Sequence, residues 1–422
     1  MDSSPPRASL AFRFRALRHR NFRLFWTGQL VSVVGTWMQS VAQGWLMHRL
    51  TSSPLMLGLL GFCQFVPVTL FSLSAGVVVD RVDKRRLILI TQTLALLQAA
   101  TLASLVTAGV VRPWMVLALA LAFGVINAFD LPARQSFLIE LVGKEDLSNA
   151  IALNSAAFNT ARVFGPAVAG VLLATIGEGG CFWVNAISYL AVLAGLAWMT
   201  PIDSAEQGDS SATLMDGVRY AWSLPPVRNL LLLLGVAAGL GFQYMVLLPV
   251  YARDILHTGA PAYGLMVTAF GLGSLLSAMW MTRQLSRWDL RRNLLVGLVS
   301  GGLGMGFFAW SRFLPLTLAM GFLAGFGLIL YVASTNTMIQ LTIEDRFRGR
   351  IMSLYTLMFI GTAPIGALLA GGIAQHAGAP VATTLCAVIL LGSALWVSYR
   401  LRVIREREAA EATTQALPEQ TG

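Results

Sequence analysis

Apolar runs of roughly twenty residues, the length that crosses a bilayer as a helix, alternate along this chain with short polar joints. They fall near 22–47, 54–79, 87–108, 114–136, 151–176, 180–199, 228–251, 262–282, 293–311, 314–336, 351–374 and 380–401. Ser53-Pro54, Arg112-Pro113 and Ala379-Pro380 punctuate the joints, because proline opens a helix but disfavours helical backbone in the residue before it. The pattern predicts an all-α polytopic membrane protein with twelve transmembrane helices in two six-helix bundles. The longest joint divides them. Its centre, 204–211, is polar, and 214–222 then alternates apolar and charged positions like a helix lying at a membrane surface. The expected organisation is a basic segment 1–21, a first bundle 22–199, a central loop 200–227, a second bundle 228–401 and a tail 402–422.

The first run departs from uniform apolarity. It carries Gln29, Ser32, Thr36, Gln39, Ser40 and Gln43, and positions 29, 32, 36, 40 and 43 recur at helical spacing on one face. Such a stripe does not face lipid. It lines a cavity or hydrogen-bonds to neighbouring helices, and so many polar groups on one face favour the cavity. Trp37 would add an aromatic wall, and Asn127, Asn159, Gln243 and Tyr244 are expected around the same space.

Two charges lie deep in apolar runs. Arg162 falls about a dozen residues into its run, roughly 18 Å along a helix, near the middle of a hydrocarbon core about 30 Å thick. A permanent cation there needs a partner or an aqueous cavity. The fourth run carries Asn127, Asp130 and Arg134 on one face. Asp130 has two readings: a relay that pairs with Arg81 or Arg134, or a group that takes up a proton when a cavity opens. Arg162 either attracts an anionic group or fixes Asp130.

Composition supports the membrane reading. The chain is 56% hydrophobic and 12% charged, where a soluble domain is about a quarter charged. Its net charge of +10 suggests nucleic acid until the basic residues are placed. All but five of the thirty Lys and Arg fall on one side of the expected membrane. That bias sets topology, with both termini cytoplasmic, and leaves no nucleic-acid patch. Cys63, Cys181 and Cys386 lie in apolar runs and form no metal or disulfide pattern, and the four histidines lie near run ends. No cleavable leader is read at the N-terminus. No phosphate-cradling glycine loop, zinc-protease motif or nucleophile elbow appears, so no enzyme, cofactor or metal site is expected.

The joint between the second and third runs reads Gly76-Val-Val-Val-Asp80-Arg81-Val-Asp83-Lys84-Arg85-Arg86. It resembles the G-x-x-x-D-R-x-G-R-K/R signature of the major facilitator superfamily, with Asp83 in place of the usual glycine. The resemblance implies that Gly76, Asp80, Arg81, Lys84, Arg85 and Arg86 form a cytoplasmic gate, Asp80 facing the helix that starts near 351–353. Gly165, Pro166 and Gly170 resemble the fifth-span G-P-x-x-x-G element of exporters in that superfamily, where proline bends the helix and glycine admits a neighbour. Phe129-Asp130-Leu-Pro132-Ala-Arg134-Gln-Ser, the stretch 146–154 and Phe347-Arg348-Gly349-Arg350 resemble the branch containing enterobactin-type siderophore exporters and macrolide-efflux proteins. The halves also repeat weakly: Ile139-Glu-Leu, Glu145-Asp146 and Gly165-Pro166 recur as Ile339-Gln-Leu, Glu344-Asp345 and Ala363-Pro364.

The expectation is a monomeric secondary transporter of a bacterial cytoplasmic membrane. It exports a small amphiphilic molecule by alternating access, and the resemblance implies coupling to protons. The rivals are a lipid or lysolipid mover, a facilitated-diffusion carrier on the same fold, and a non-transporting scaffold.

Overall fold

The structure, a computed structural model, describes residues 15–200, 214–281, 287–344 and 347–415. Expectations for the segment before residue 15, the loop centre 204–211, Asp345 and the last residues of the tail lie outside them. Helices α1 (Arg20–Thr51), α2 (Pro54–Arg81), α3 (Lys84–Thr107), α4 (Pro113–Thr175) and α5 (Gly177–Ala197) build the first bundle. After α6 (Leu214–Ser223) come α7 (Pro225–Gly241), α8 (Tyr244–Val250), α9 (Ala260–Met281), α10 (Arg287–Trp310), α11 (Leu314–Gln340), α12 (Arg348–Ile360), α13 (Ala363–Ala377) and α14 (Ala379–Gln415). α14 passes the boundary expected at 401. α6 covers the stretch expected to lie at a membrane surface.

Local chemistry explains the boundaries. Ser53 caps α2, its side chain accepting from the Met56 amide at 3.3 Å, and Pro54 follows in the first turn. α4 is 63 residues long, but Gly143 breaks it at φ 71° and ψ 176°, a backbone that glycine adopts without strain. Its two limbs are therefore the fourth and fifth expected runs. The tenth-run helix α11 is unbroken, whereas the seventh run divides into α7 and α8 around Phe242-Gln243, and the eleventh into α12 and α13 around Gly361-Thr362.

Among the described residues, nine helices are long and apolar enough to cross a membrane, one being the whole of α4 and another running through α12 and α13. α1 is absent from that set because its glutamines, serines and threonines dilute its apolar character. Burial is inverted relative to a soluble protein. Leu70, Val171, Ile187 and Leu395 are exposed, while Gln29, Gln39, Gln43, Gln98 and Asn185 are buried. Lipid accepts the first set, and the bundle interior supplies hydrogen bonds to the second. Exposed tryptophans mark both ends: Trp114 and Trp310 at one, Trp198 and Trp222 at the other.

The first bundle packs Phe22, Phe25, Ile88, Phe137 and Leu196 into one core, with Phe25 edge-on to Phe137 at 5.5 Å. In the second, Phe308 meets Tyr251 at 4.7 Å and Phe270 at 5.4 Å between ring centres. The bundles touch along two seams, α2 against α13 and the second limb of α4 against α9.

Candidate functional site

The seams are closed at the end far from the termini. There a Cβ added to Gly371 would lie 2.7 Å from both Gly58 Cα and the Pro54 carbonyl oxygen. A Cβ on Gly264 would lie 2.7 Å from Gly170 Cα and from the Pro166 oxygen. Only glycine permits backbones this close. His48 of α1, fully buried, meets Asp254 just after α8 at 2.8 Å, Ser53 donates to Gln375 at 2.7 Å, and Trp45 stacks on Tyr263 with ring centres 6.0 Å apart. Each of these joins the first bundle to the second.

At the opposite end the joint between α2 and α3 stands free of the second bundle. A Cβ on Gly76 would have nothing within 4 Å. Asp80 and Arg81 are exposed. The remaining residues of the motif bind within their own bundle. Lys84 pairs with Glu140 at 2.6 Å. Arg85 donates to the carbonyls of Leu196 and Met199 at 2.5 and 3.3 Å. Asp83 caps α3, accepting from the Arg86 amide at 2.8 Å. Its departure from the glycine of the signature thus has a local cause: it opens the helix.

The polar stripe of α1 requires a correction. Gln29, Ser32, Gln39 and Gln43 are buried between helices of the first bundle, not set along a cavity wall. Gln39 donates to Gln98 at 3.1 Å and accepts from Asn185 at 2.7 Å. Gln43 donates to the Val116 carbonyl at 3.4 Å and accepts from Gln64 at 3.3 Å. The physical reason is that the neighbouring helices bring polar groups to Gln39, Gln43 and Gln29, the last accepting from Arg134, although Ser32 Oγ and Gln29 Nε2 stay without a partner. Thr36, half-buried, bonds with the Tyr189 hydroxyl at 3.3 Å. Ser40 alone of the six is exposed, and Asn127 is half-buried.

Asp130 is at the centre of this interior. It is 1% exposed, and one carboxylate oxygen accepts from Thr91 at 2.6 Å and Gln92 at 2.9 Å. The other is ion-paired with Arg134, which also donates to Gln29 at 2.6 Å. Arg162 does not fix Asp130, because Arg134 sits one helical turn away and fills that place. Arg162 keeps one side-chain partner among the described residues, Asn159, whose side-chain oxygen accepts from it at 3.1 Å. Its Nε is sealed without an acceptor. Among the described residues it pairs with no carboxylate.

Arg162 lies on the second seam. A Cβ on Gly271 of α9 would be 3.3 Å from the Arg162 carbonyl oxygen. Phe158, one turn earlier, meets Trp37 of α1 edge-on at 5.9 Å, and Gly165 lets α1 approach, since its Cβ would lie 2.6 Å from that of Trp37. Across the seam Tyr244 stacks on Phe270 at 3.9 Å. Gln243, also buried, touches Gly366 of α13 rather than this group. Pro166 lies inside α4 without a break in its helical backbone, the described break being at Gly143. Sequence reasoning missed Thr91, Gln92, Gln98, Asn185 and Tyr189. Their signal was a polar side chain inside an apolar run, the same signal that marked α1.

Two helical bundles that meet along a pair of glycine seams, in a chain of apolar helices long enough to cross a membrane, have the architecture of a transporter of the major facilitator class. The chain belongs to the transmembrane secretion effector family of that superfamily, whose profile matches residues 11–421. It is similar to the multidrug efflux pump Tap of Mycolicibacterium fortuitum, 28% identical with 83% of this chain and 88% of that one covered. The enterobactin exporter EntS of Citrobacter koseri is 27% identical, with 84% and 85% covered. Among solved structures, the nucleoside transporter NupG superposes with a TM-score of 0.74 at 11% identity, covering 90% of this chain and 98% of that one, a likeness of fold.

Proposed function

We propose that this protein exports a small amphiphilic molecule across a bacterial cytoplasmic membrane by alternating access, driven by the proton gradient. The observation that carries the reading is the asymmetry of the seams: glycine-tight with His48–Asp254 at one end, with Gly76 and Asp80 unengaged at the other. Rocking the bundles about Arg162 and the middle of the seams would exchange one closure for the other. The bias of Lys and Arg places the termini and the Gly76–Arg86 joint in the cytoplasm, so the form described opens inward. In the other form Asp80 would meet the start of α12 and Gly76 would admit a neighbouring helix. The efflux pump and siderophore exporter among its relatives favour export over uptake. Twelve membrane crossings follow if α1, both limbs of α4, α7 with α8, and α12 with α13 each count once. The protein works as a monomer, with no nucleic acid.

Asp130 serves in this reading as a structural pair with Arg134. Its two hydrogen bonds and its ion pair occupy both carboxylate oxygens. Inside-out vesicles carrying the protein should accumulate an amphiphilic dye when a pH gradient is imposed and lose it when the gradient is collapsed. Asp80→Asn, expressed at a normal level, should abolish the uptake. Uptake that survives both the collapse and the substitution sinks the proposal.

A further inference from the structure

Arg162 is a charge that the fold leaves uncompensated. A guanidinium offers five N–H donors, and the structure gives one of Arg162's an acceptor, the amide oxygen of Asn159 at 3.1 Å. Nε is sealed from solvent without one. Among the described residues of the same bundle the buried carboxylates are taken, Asp130 by Arg134 and Glu140 by Lys84. Burying a cation at membrane depth is expensive, and leaving its donors empty adds to that. A purely structural arginine would have been given a carboxylate or a set of carbonyls, as Arg85 was on the Leu196 and Met199 carbonyls.

What surrounds it is aromatic. Phe158 and Trp37 stand on the first-bundle side, Phe158 being 47% exposed and only partly covered by Trp37. Tyr244, stacked on Phe270, stands on the other. Arginine meets a carboxylate with two parallel hydrogen bonds, and aromatic rings accept a flat apolar body by edge or face.

From this we infer that Arg162, with Asn159 beside it, binds the anionic group of the transported molecule, and that Trp37 and Phe158 hold an aromatic ring attached to it. The substrate class is an aryl carboxylate or an amphiphile ending in one. The inference rests on the transport reading for its purpose but is tested by binding alone.

A matched pair of probes isolates the charge: 1-naphthoate and 1-naphthamide share ring and shape and differ in the anion. Both are titrated into the purified full-length protein in lipid nanodiscs at neutral pH, with tryptophan fluorescence as readout. The wild type should bind the naphthoate about ten-fold more tightly or better, as expected of a charge-assisted bond. Arg162→Gln should erase that preference while keeping its affinity for the amide, which also shows that it is folded. Arg162→Lys, a point charge without the fork, should keep part of it. Equal affinity of the wild type for both probes, binding of neither at millimolar concentration, or a preference that survives Arg162→Gln would overturn the inference. None of these outcomes bears on vesicle uptake, so the site and the exporter reading fail separately.

Discussion

Gly371→Ala tests whether the glycine seam holds the far end shut. The added methyl would lie 2.7 Å from Gly58 Cα and from the Pro54 oxygen, where ordinary contact begins at 3.4 Å. Every close atom is backbone of α2, so no side chain can rotate away and α2 and α13 must separate by about 0.7 Å at this point. Overpacking of this kind costs about 1–3 kcal/mol, and only the form with this end closed bears it. The equilibrium should move toward the form open at the far end by about five- to hundred-fold. Gly372→Ala is the matched control: it gains the same helix propensity, and its Cβ would have nothing within 4 Å. Spin labels at Val110 and Phe313, exposed at the far ends of the two bundles, report the opening by pulsed electron resonance once Cys63, Cys181 and Cys386 are replaced. Gly371→Ala should populate a longer distance that Gly372→Ala does not. Identical distance distributions for the two variants would refute the argument, because they would mean that the seam yields without opening.

Two further outcomes follow from local geometry. Asp130→Asn leaves Arg134 buried without its ion pair, and should cost about 3–5 kcal/mol, read as a large fall in the thermal transition in detergent; adding Arg134→Gln should recover part of it, and an unchanged transition in the single variant would show that the pair carries no stability. Asp83→Ala removes the cap of α3 at a cost of about 1 kcal/mol, whereas Asp83→Gly, the residue of the superfamily signature, should lie within a few tenths of the wild type; the same melting experiment ranks the two, and an equal loss for both would refute the capping role.

The elements were legible because membrane helices advertise themselves locally. Apolar runs and the prolines at the joints each act on their immediate neighbours. Asp83 belongs in the same class: against the family signature it is only a departure from glycine, while read as Asp-x-x-Arg at a helix start it is an ordinary cap. The cavity was harder for a different reason. Periodicity showed that one face of α1 avoids lipid, but the choice between wall and seam depends on Gln98 and Asn185, which lie 59 and 146 residues from Gln39 in the chain. No local pattern carries that distance.

The same limit explains the two arginines. Arg134 and Arg162 both looked able to serve Asp130, and helical proximity decided for the first. That assignment changes what Arg162 means. With Asp130 satisfied, the midplane cation has no structural debt to the acid, and its empty donors become a property of the interface between the bundles. The interface is also where the glycines concentrate their effect: Gly58 with Gly371 and Gly170 with Gly264 bring backbones together in two related seams. In a chain with forty glycines, only Gly170 of these four carried a local mark, its place in the G-P-x-x-x-G element. Their role appears only when the opposite helix is in place, as does the contrast with Gly76, which meets nothing in the same structure. A closure built from backbone contact can part and re-form without breaking strong bonds, which suits a seam that must open in each cycle.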